Sequence, residues 1–525
     1  MMPSSLLNVR GLVAISPGPL LGSTLALVVL WAMRRGRERR LSWTSTPLPP
    51  QGYRHLPSTS TAYTPVRVGM TAEQPKEGSP AFYDWVFAMT VRFHGKPWVL
   101  HRPGQPDVLI VSSPGSFEDI QRTFAMQFDK IDSDAEGLSH DVHGGAIALV
   151  GSGSLRPSVN TQRQLAVNVL SSPALRQQAS TLVKHKLEPL VAKLDDSLDS
   201  LDVTKLMRQF AMEVFTELGF GLQLRSSNGD SSLFEKAVDD IQMRVAERMQ
   251  RSTVAWKLER LLDVGCEAAL RRSIEIVNAI TLGAVEAKKK RSSDSPVTGS
   301  RVDMLDLLLS QKCSSKTSKD PEFLAEFVLS LVLAARDSMA HALSKCLQCL
   351  AQYPDEQEKL ALELKDAEEQ GKDVHSVVRL EAVVKETLRL FPAKPFVRRR
   401  ARLDTVLSDG TFVAAGVEVA MDLYTMARRG TVWGTDSTQF RPQRWIDSTT
   451  GRLRPVSNYK FNSFLGGPRA CVGAEITLTE IKKIVAAVTL KIQLEIDDSY
   501  HKDEGCEAVH VRVRRRSPSP TAKLA

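Results

Sequence analysis

The most specific motif in the sequence is a glycine-rich run with one cysteine, Phe464-Leu465-Gly466-Gly467-Pro468-Arg469-Ala470-Cys471-Val472-Gly473. A helical pattern follows from about Ala474 to Val488. Gly467 and Gly473 allow close backbone approach and positive φ angles, so that successive amides can surround the Cys471 sulfur. The helix N-terminus is expected to lower the thiol pKa, and Arg469 supplies a cation for a carboxylate. A thiolate ligand of haem iron needs all of these features, whereas a buried structural cysteine does not need the joint spacing F-x-x-G-x-R-x-C-x-G.

Two further motifs precede this run. Glu386-Thr387-Leu388-Arg389 reads E-x-x-R, and its i, i+3 spacing puts an acid and an arginine on one helix face. Phe440-Arg441-Pro442-Gln443-Arg444-Trp445 lies between this pair and the cysteine. An E-x-x-R pair by itself is commonplace and normally solvated. It becomes informative here because the Phe440–Trp445 motif and the cysteine run follow it in the sequence.

In this order the three motifs resemble those of the cytochrome P450 family. The residues that match the family's haem loop are Phe464, Gly467, Arg469, Cys471 and Gly473. The resemblance implies a mainly α fold with small β-sheets, an α+β arrangement preceded by an N-terminal membrane anchor. It also implies haem b as the cofactor, with Cys471 as the axial thiolate ligand of the iron.

The resemblance further implies a buried triad in which Arg444 joins Glu386 and Arg389. Removal of one member would strand a buried charge, at a cost of about 3 to 5 kcal/mol. Gln443 replaces the acid that the family usually has at that position, without touching the triad.

A long apolar run from Phe323 to Leu350 carries Ala334-Ala335-Arg336-Asp337-Ser338-Met339, which resembles the family's oxygen-binding A-G-x-D-T-T. Ala335 replaces the glycine and favours regular helix by about 1 kcal/mol, so a local opening of the helix should be harder. Ser338 replaces the first threonine and keeps a hydroxyl that donates and accepts. We assign proton delivery to Asp337 and Ser338; the apolar run argues against the alternative, a solvated Asp-Ser pair.

Haem propionates need cations, and three arginines are candidates. Arg469 lies in the haem loop itself. Arg398 lies nine residues after Arg389, where the family often places such an arginine. Arg163 matches the arginine of a W-x-x-x-R helix motif, in which Val159 replaces the tryptophan.

The amino-acid composition limits the classes of protein to which the chain can belong. Of the 525 residues, 42% are apolar and 25% are charged, which is ordinary globular usage. Much of the net charge of +9 lies in Arg34–Arg40 and Arg512–Arg516, so the nearly neutral body argues against a nucleic-acid partner.

The six scattered cysteines indicate a reducing compartment. Cys346 and Cys349 form a C-x-x-C without a second ligand pair, so they are expected to lie in the core.

The N-terminal region contains a candidate membrane segment. Residues 11–33 are uncharged and long enough, at about 1.5 Å per residue, to cross a bilayer core of about 30 Å. Five arginines follow the run and one precedes it, which favours an uncleaved anchor over a cleaved signal and puts the body in the cytosol. Pro17 and Pro19 shorten the helix, so a membrane-surface or transit segment is the alternative. The expected organisation is a short tail at 1–10, a transmembrane anchor at 11–33, a basic and Pro-rich linker at 34–52, the catalytic domain at 53–513 and a disordered tail at 514–525.

Hydrophobic periodicity predicts the main elements along the chain. Short β-prone runs at 98–101 and 108–111 predict a hairpin, followed by a helix from about Ser116. Further helices are predicted at 201–222, 233–249 and 256–289, and strands at 411–421, 490–496 and 509–513.

The resemblance implies a monooxygenase that inserts one oxygen atom from O2 into an apolar substrate. Tyr424–Arg428 and Val432–Asp436 look most like fatty-acid ω-hydroxylases of plants and yeasts. Because the chain has no flavin or nicotinamide motif, its electrons must come from a partner. The resemblance implies NADPH-cytochrome P450 reductase at the endoplasmic reticulum membrane, docking near Lys460, Lys482 and Lys483. The alternatives are a haem-thiolate isomerase or dehydratase of lipid peroxides, and a haem-binding sensor.

Overall fold

The computed structural model describes residues 65–70, 74–75, 77–102, 106–130, 157–195, 200–224, 233–251, 253–294, 302–310, 320–497 and 508–516. Within these ranges the chain is mainly helical with small β-sheets, as predicted. The helices are α1 (Pro80–Arg92), α2 (Pro114–Glu118), α3 (Pro157–Leu170), α4 (Pro173–Asp195), α5 (Val203–Phe220), α6 (Leu233–Gln250), α7 (Thr253–Leu262), α8 (Gly265–Asp294), α9 (Met304–Ser310), α10 (Pro321–Gln352), α11 (Pro354–Glu369), α12 (Val378–Leu390), α13 (Leu423–Arg428), α14 (Gly430–Trp433) and α15 (Ala474–Lys491). The strands are β1 (Val66–Gly69), β2 (Trp98–His101), β3 (Val108–Val111), β4 (Phe128–Lys130), β5 (Leu201–Asp202), β6 (Phe396–Ala401), β7 (Thr405–Val406), β8 (Phe412–Val413), β9 (Glu418–Asp422), β10 (Ile492–Ile496) and β11 (His510–Arg515).

The larger sheet has the strand order β1-β2-β3-β9-β6-β4. The predicted hairpin is confirmed, since β2 and β3 are antiparallel with Trp98 opposite Ile110. β9 runs parallel to β3 and antiparallel to β6, which ties the segment after α12 to the N-terminal sheet. A smaller sheet has the order β10-β11-β5, and β7 pairs with β8.

The core of the helical part is built around the 32-residue helix α10. α5 packs closely against it at Gly219, where an added Cβ would lie 2.5 Å from Val332 Cγ2. Cys346 and Cys349 are fully buried on α10, so the prediction that they are core residues is confirmed. Burial raises the pKa of the Cys346 thiol to about 12, because a thiolate there would lose its hydration.

Two predicted elements are each divided in the structure. The helix predicted at 256–289 is interrupted between α7 and α8, where Asp263 has a φ of 53° and Gly265 a φ of 59°. A left-handed residue cannot continue a right-handed helix, so the chain changes direction there. The strand predicted at 411–421 is likewise two strands, β8 and β9, with a turn between them at Gly416, whose φ is 84°.

The C-terminal boundary also differs from the prediction. β11 continues to Arg515, beyond the expected end of the domain at 513, because it pairs along the whole of β10. Two arginines of β11 form ion pairs with acidic residues in or directly after β10. Arg512 lies 2.9 Å from Asp497, and Arg514 lies 3.1 Å from Glu495. The basic run therefore belongs to the folded sheet.

The predicted anchor at 11–33, the linker at 34–52 and residues 517–525 of the predicted tail lie outside the described residues. Among the helices that the structure describes, none combines the length and apolar character needed to cross a membrane.

Candidate active site

Cys471 lies between a 3-10 turn at Gly467–Arg469 and Ala474, the first residue of α15. The Cys471 amide donates to the Phe464 carbonyl at 2.8 Å, which closes the run into a loop. The amides of Gly473 and Ala474 donate hydrogen bonds to the Cys471 sulfur. Two successive amides of the loop therefore contact the sulfur, as the sequence predicts.

The pKa of the Cys471 thiol differs from the expectation. Burial raises this pKa, and the effect outweighs the lowering by the amides of Gly473 and Ala474 and by the charges of Arg163 and Lys394. Although the residue is exposed, the protein atoms around its sulfur remove hydration that two amide hydrogen bonds do not replace. The protein by itself therefore favours the thiol, and a coordinated metal cation would supply the charge that removes the proton.

The two glycines of the loop differ in conformation. Gly467 has the predicted positive φ, 64°, and an added Cβ would lie 1.9 Å from the Gln121 carbonyl oxygen, so that no side chain fits there. Gly473 has a φ of −96°, so the prediction of a positive φ at this position is wrong. The nearest atom to an added Cβ at Gly473 is Thr477 Oγ1, at an ordinary contact distance of 3.7 Å.

The structure brings Glu386, Arg389 and Arg444 together. Arg389 donates from Nε to Glu386 Oε2 at 2.7 Å and from a terminal nitrogen to Oε1 at 2.9 Å. Arg444 Nε donates to Glu386 Oε1 at 2.8 Å. The Glu386 side chain is completely buried, and Trp445 Nε1 gives it a further hydrogen bond at 2.9 Å. This buried carboxylate therefore holds α12 to the turn at 442–445.

Asp436 is a further member of this network that the sequence reasoning missed. Its carboxylate accepts from Arg444 at 3.0 Å, and its carbonyl accepts from the same guanidinium at 2.9 Å. The network also reaches the cysteine loop, because Ser463 Oγ donates to the Leu388 carbonyl of α12 at 2.9 Å. No local spacing connects these residues, so only the folded chain reveals them.

The oxygen-binding motif lies on α10, which packs directly against α15. α10 is unbroken through Ala335, as expected for alanine in place of glycine. Ser338 Oγ donates to the Ala334 carbonyl at 2.7 Å, within its own helix. Asp337 remains 47% accessible, yet the protein atoms around it remove enough water to raise the pKa of its carboxyl.

Side chains of α6 hold this part of α10. Arg336 is completely buried and forms an ion pair with Asp239. The amide of Gln242 accepts from Arg336 at 3.1 Å and donates to Asp337. The predicted proton-delivering acid is therefore tied to α6, a contact that the motif alone does not indicate.

The sequence profile of the cytochrome P450 family matches residues 85–511. The chain belongs to this family. Cytochrome P450 94C1 of Arabidopsis thaliana is 30% identical to it over 354 residues, which are 64% of this chain and 69% of that protein. Cytochrome P450 CYP94D109 of Paris polyphylla is 28% identical over 439 residues, 78% of this chain and 84% of that protein. As a cytochrome P450 the chain is a monooxygenase, and its family uses haem with an axial cysteine thiolate.

The residues around the cysteine loop of this P450 fit haem. Five cations interact there, namely Lys130, Arg163, Lys394, Arg399 and Arg469. Burial and repulsion from the other four lower the pKa of Lys130 to about 8. Burial and the nearby Arg469 lower the pKa of Arg399 to about 10. Like charges gathered in a buried place repel unless an anion joins them, and the haem propionates supply such anions.

Arg398 has a different partner from the one that its predicted role as a propionate-binding residue implies. Its guanidinium pairs with Glu77, and it is Arg399 that interacts with Arg469. Successive side chains of a strand point to opposite faces, so on β6 the two neighbours have different partners. The alternating burial of Phe396–Ala401 is the signal that distinguishes them.

The other two predicted arginines lie at the loop. Arg163 donates to the Ala470 carbonyl at 2.6 Å, and its charge acts on the Cys471 thiol. Arg469 lies 3.8 Å from Asp129 of β4. The sequence reasoning missed Lys130, Lys394 and Arg399, which come from separate segments.

The lysines proposed to receive the redox partner are partly engaged within this P450. Lys482 lies 3.2 Å from Glu381, and Lys483 lies 2.8 Å from Glu480. Lys460 lies over the Trp433 ring, 4.6 Å from its centroid. Since two of the three charges have acidic neighbours, these lysines offer less net attraction to an acidic partner than the sequence suggests.

Proposed function

We propose that this P450 hydroxylates an apolar substrate and that the substrate is a fatty acid, oxidised at its ω end. The monooxygenase part of this proposal rests on one observation: α10, which contains Asp337 and Ser338, packs against α15, the helix that follows Cys471. The fatty-acid part is supported by the resemblance of Tyr424–Arg428 and Val432–Asp436 to plant and yeast ω-hydroxylases.

The chain's own residues have distinct tasks in this proposal. Haem bound through Cys471 supplies the oxygen chemistry. Arg163, Arg399 and Arg469 hold the propionates of the cofactor. Ser338, whose hydroxyl keeps its lone pairs while donating to the Ala334 carbonyl, accepts a proton and passes it on with help from Asp337.

Electrons come from NADPH-cytochrome P450 reductase in this proposal, and residues 11–33 anchor the protein in the endoplasmic reticulum membrane with its catalytic domain in the cytosol. The apolar run with its arginines on the C-terminal side supports the orientation. Lys460 is the best placed of the three candidate docking lysines, because it has an aromatic ring beneath it where the other two have carboxylates.

Turnover with a panel of fatty acids of different chain lengths tests the proposed function. The full-length protein and reductase should consume NADPH and O2 in proportion to an ω-hydroxylated product. Conversion of a lipid hydroperoxide without reductase or O2 would instead support the isomerase, which the replacement of the second threonine by the buried Met339 favours. Ligand binding without conversion under either condition would support the sensor.

Ser338→Ala should uncouple the reaction. Loss of one proton-transfer group typically slows the step about 100-fold, or about 2.7 kcal/mol in the barrier, so reducing equivalents should leave as hydrogen peroxide. Product formed per NADPH consumed measures the effect. Ser344→Ala is a matched control, because Ser344 makes the same 2.7 Å bond to the carbonyl four residues earlier on α10 but is buried.

Ser338→Thr restores the family's usual residue and should keep or improve coupling. Unchanged coupling in Ser338→Ala would remove this residue from the mechanism.

A further inference from the structure

Two buried amides outside every assigned motif contact the start of the cysteine loop. Gln121 lies in a π-helical turn, Asp119–Thr123, that continues from α2. Its Nε2 donates to Asn462 Oδ1 at 2.8 Å, and Asn462 Nδ2 donates back to Gln121 Oε1 at 3.0 Å. Both residues are at least 94% buried. Single π-helical turns are rare and often occur at functional sites.

Gln121 also contacts the two glycines that open the loop. Its Oε1 accepts a hydrogen bond from the Gly466 amide. Its carbonyl oxygen lies against Gly467, where an added Cβ would be only 1.9 Å away. Gln121 therefore hydrogen-bonds Gly466 through its side chain, and its backbone lies directly against Gly467.

The hydrogen-bonding capacity of the Gln121 side chain is fully used. Oε1 accepts from Gly466 and Asn462, and Nε2 donates to Asn462 and contacts Met421 Sδ at 3.2 Å. A buried amide with all its partners has one orientation, because any rotation leaves a donor or acceptor unsatisfied. The pair Gln121–Asn462 is thus a rigid support for residues 466 and 467.

We propose that the Gln121–Asn462 pair positions the cysteine loop and, through the loop, the Cys471 sulfur. The Cys471 amide bonds the Phe464 carbonyl across the loop, so a shift of the intervening glycines changes where the sulfur points. This role rests on Cys471 being the iron ligand.

Gln121→Leu tests the proposal by spectroscopy of the holoenzyme. The reduced carbon-monoxide complex should lose the strongly red-shifted Soret band of thiolate ligation in most of the bound haem, because the displaced loop misplaces the sulfur. Total haem is measured separately, so that loss of cofactor is not counted as loss of thiolate. Gln127→Leu is the matched control: Gln127 is half-buried in the same segment, hydrogen-bonds Thr405 and should keep the red-shifted band.

Gln121→Glu is a second variant that tests the same proposal if Gln121→Leu does not fold. It keeps an acceptor for the Gly466 amide but removes the donor to Asn462, so an intermediate loss of the red-shifted band is expected. A wild-type band in Gln121→Glu, or equal loss in Gln121→Leu and Gln127→Leu, would overturn the positioning role. Cys471→Ala separates this result from failure of the ligand assignment, because it tests the sulfur alone.

Discussion

Cys471→Ala should abolish the strongly red-shifted Soret band of the reduced carbon-monoxide complex and, with it, monooxygenase turnover. Among the described residues, Cys471 is the cysteine whose sulfur accepts from successive backbone amides at a helix N-terminus. Cys346 and Cys349 are buried on α10 at the core of the helical part, and burial raises the pKa of both thiols. The spectrum of the reduced carbon-monoxide complex measures the loss directly.

Cys346→Ala is the control for this substitution, since it removes a thiol that lies in the core on α10 and should keep the band. Retention of the band in Cys471→Ala would show that the ligand assignment is wrong. Cys471→Ser should give the same loss as alanine, because a serine hydroxyl cannot replace the thiolate in generating the red shift.

Glu386→Ala should lower the free energy of unfolding by about 3 to 5 kcal/mol. The Arg389 and Arg444 side chains are 1% and 9% exposed, so both would keep buried charges without their shared carboxylate. The Trp445 indole and the Arg441 amide would also lose their acceptor. Chemical denaturation of the holoprotein measures the change, and haem should be released at lower denaturant.

Glu363→Ala is the matched control for the triad. Glu363 forms a 2.6 Å ion pair with Arg379, between α11 and α12, but its side chain is 42% exposed. Removal of such a solvated pair should cost less than about 1 kcal/mol. Equal losses in Glu363→Ala and Glu386→Ala would contradict the assignment of a buried triad.

Sequence alone determined the features that depend on neighbouring residues. The i, i+3 spacing placed Glu386 and Arg389 on one helix face, and a long apolar run indicated the long helix around Asp337 and Ser338. Two short β-prone runs close together along the chain predicted the hairpin of β2 and β3. These predictions succeed because helix and strand periods impose contacts within a few residues, whatever the rest of the chain does.

Tertiary structure alone decided the features that depend on distant segments. The thiol pKa at Cys471 is raised because burial is a sum over all surrounding atoms, which a local motif does not contain. Arg399 replaces Arg398 at the loop because the face of β6 is set by its pairing with β9. Gln121 and Asn462 are separated by 341 residues along the chain, so their hydrogen-bonded pair exists only after folding has brought the π-helical turn to the cysteine loop.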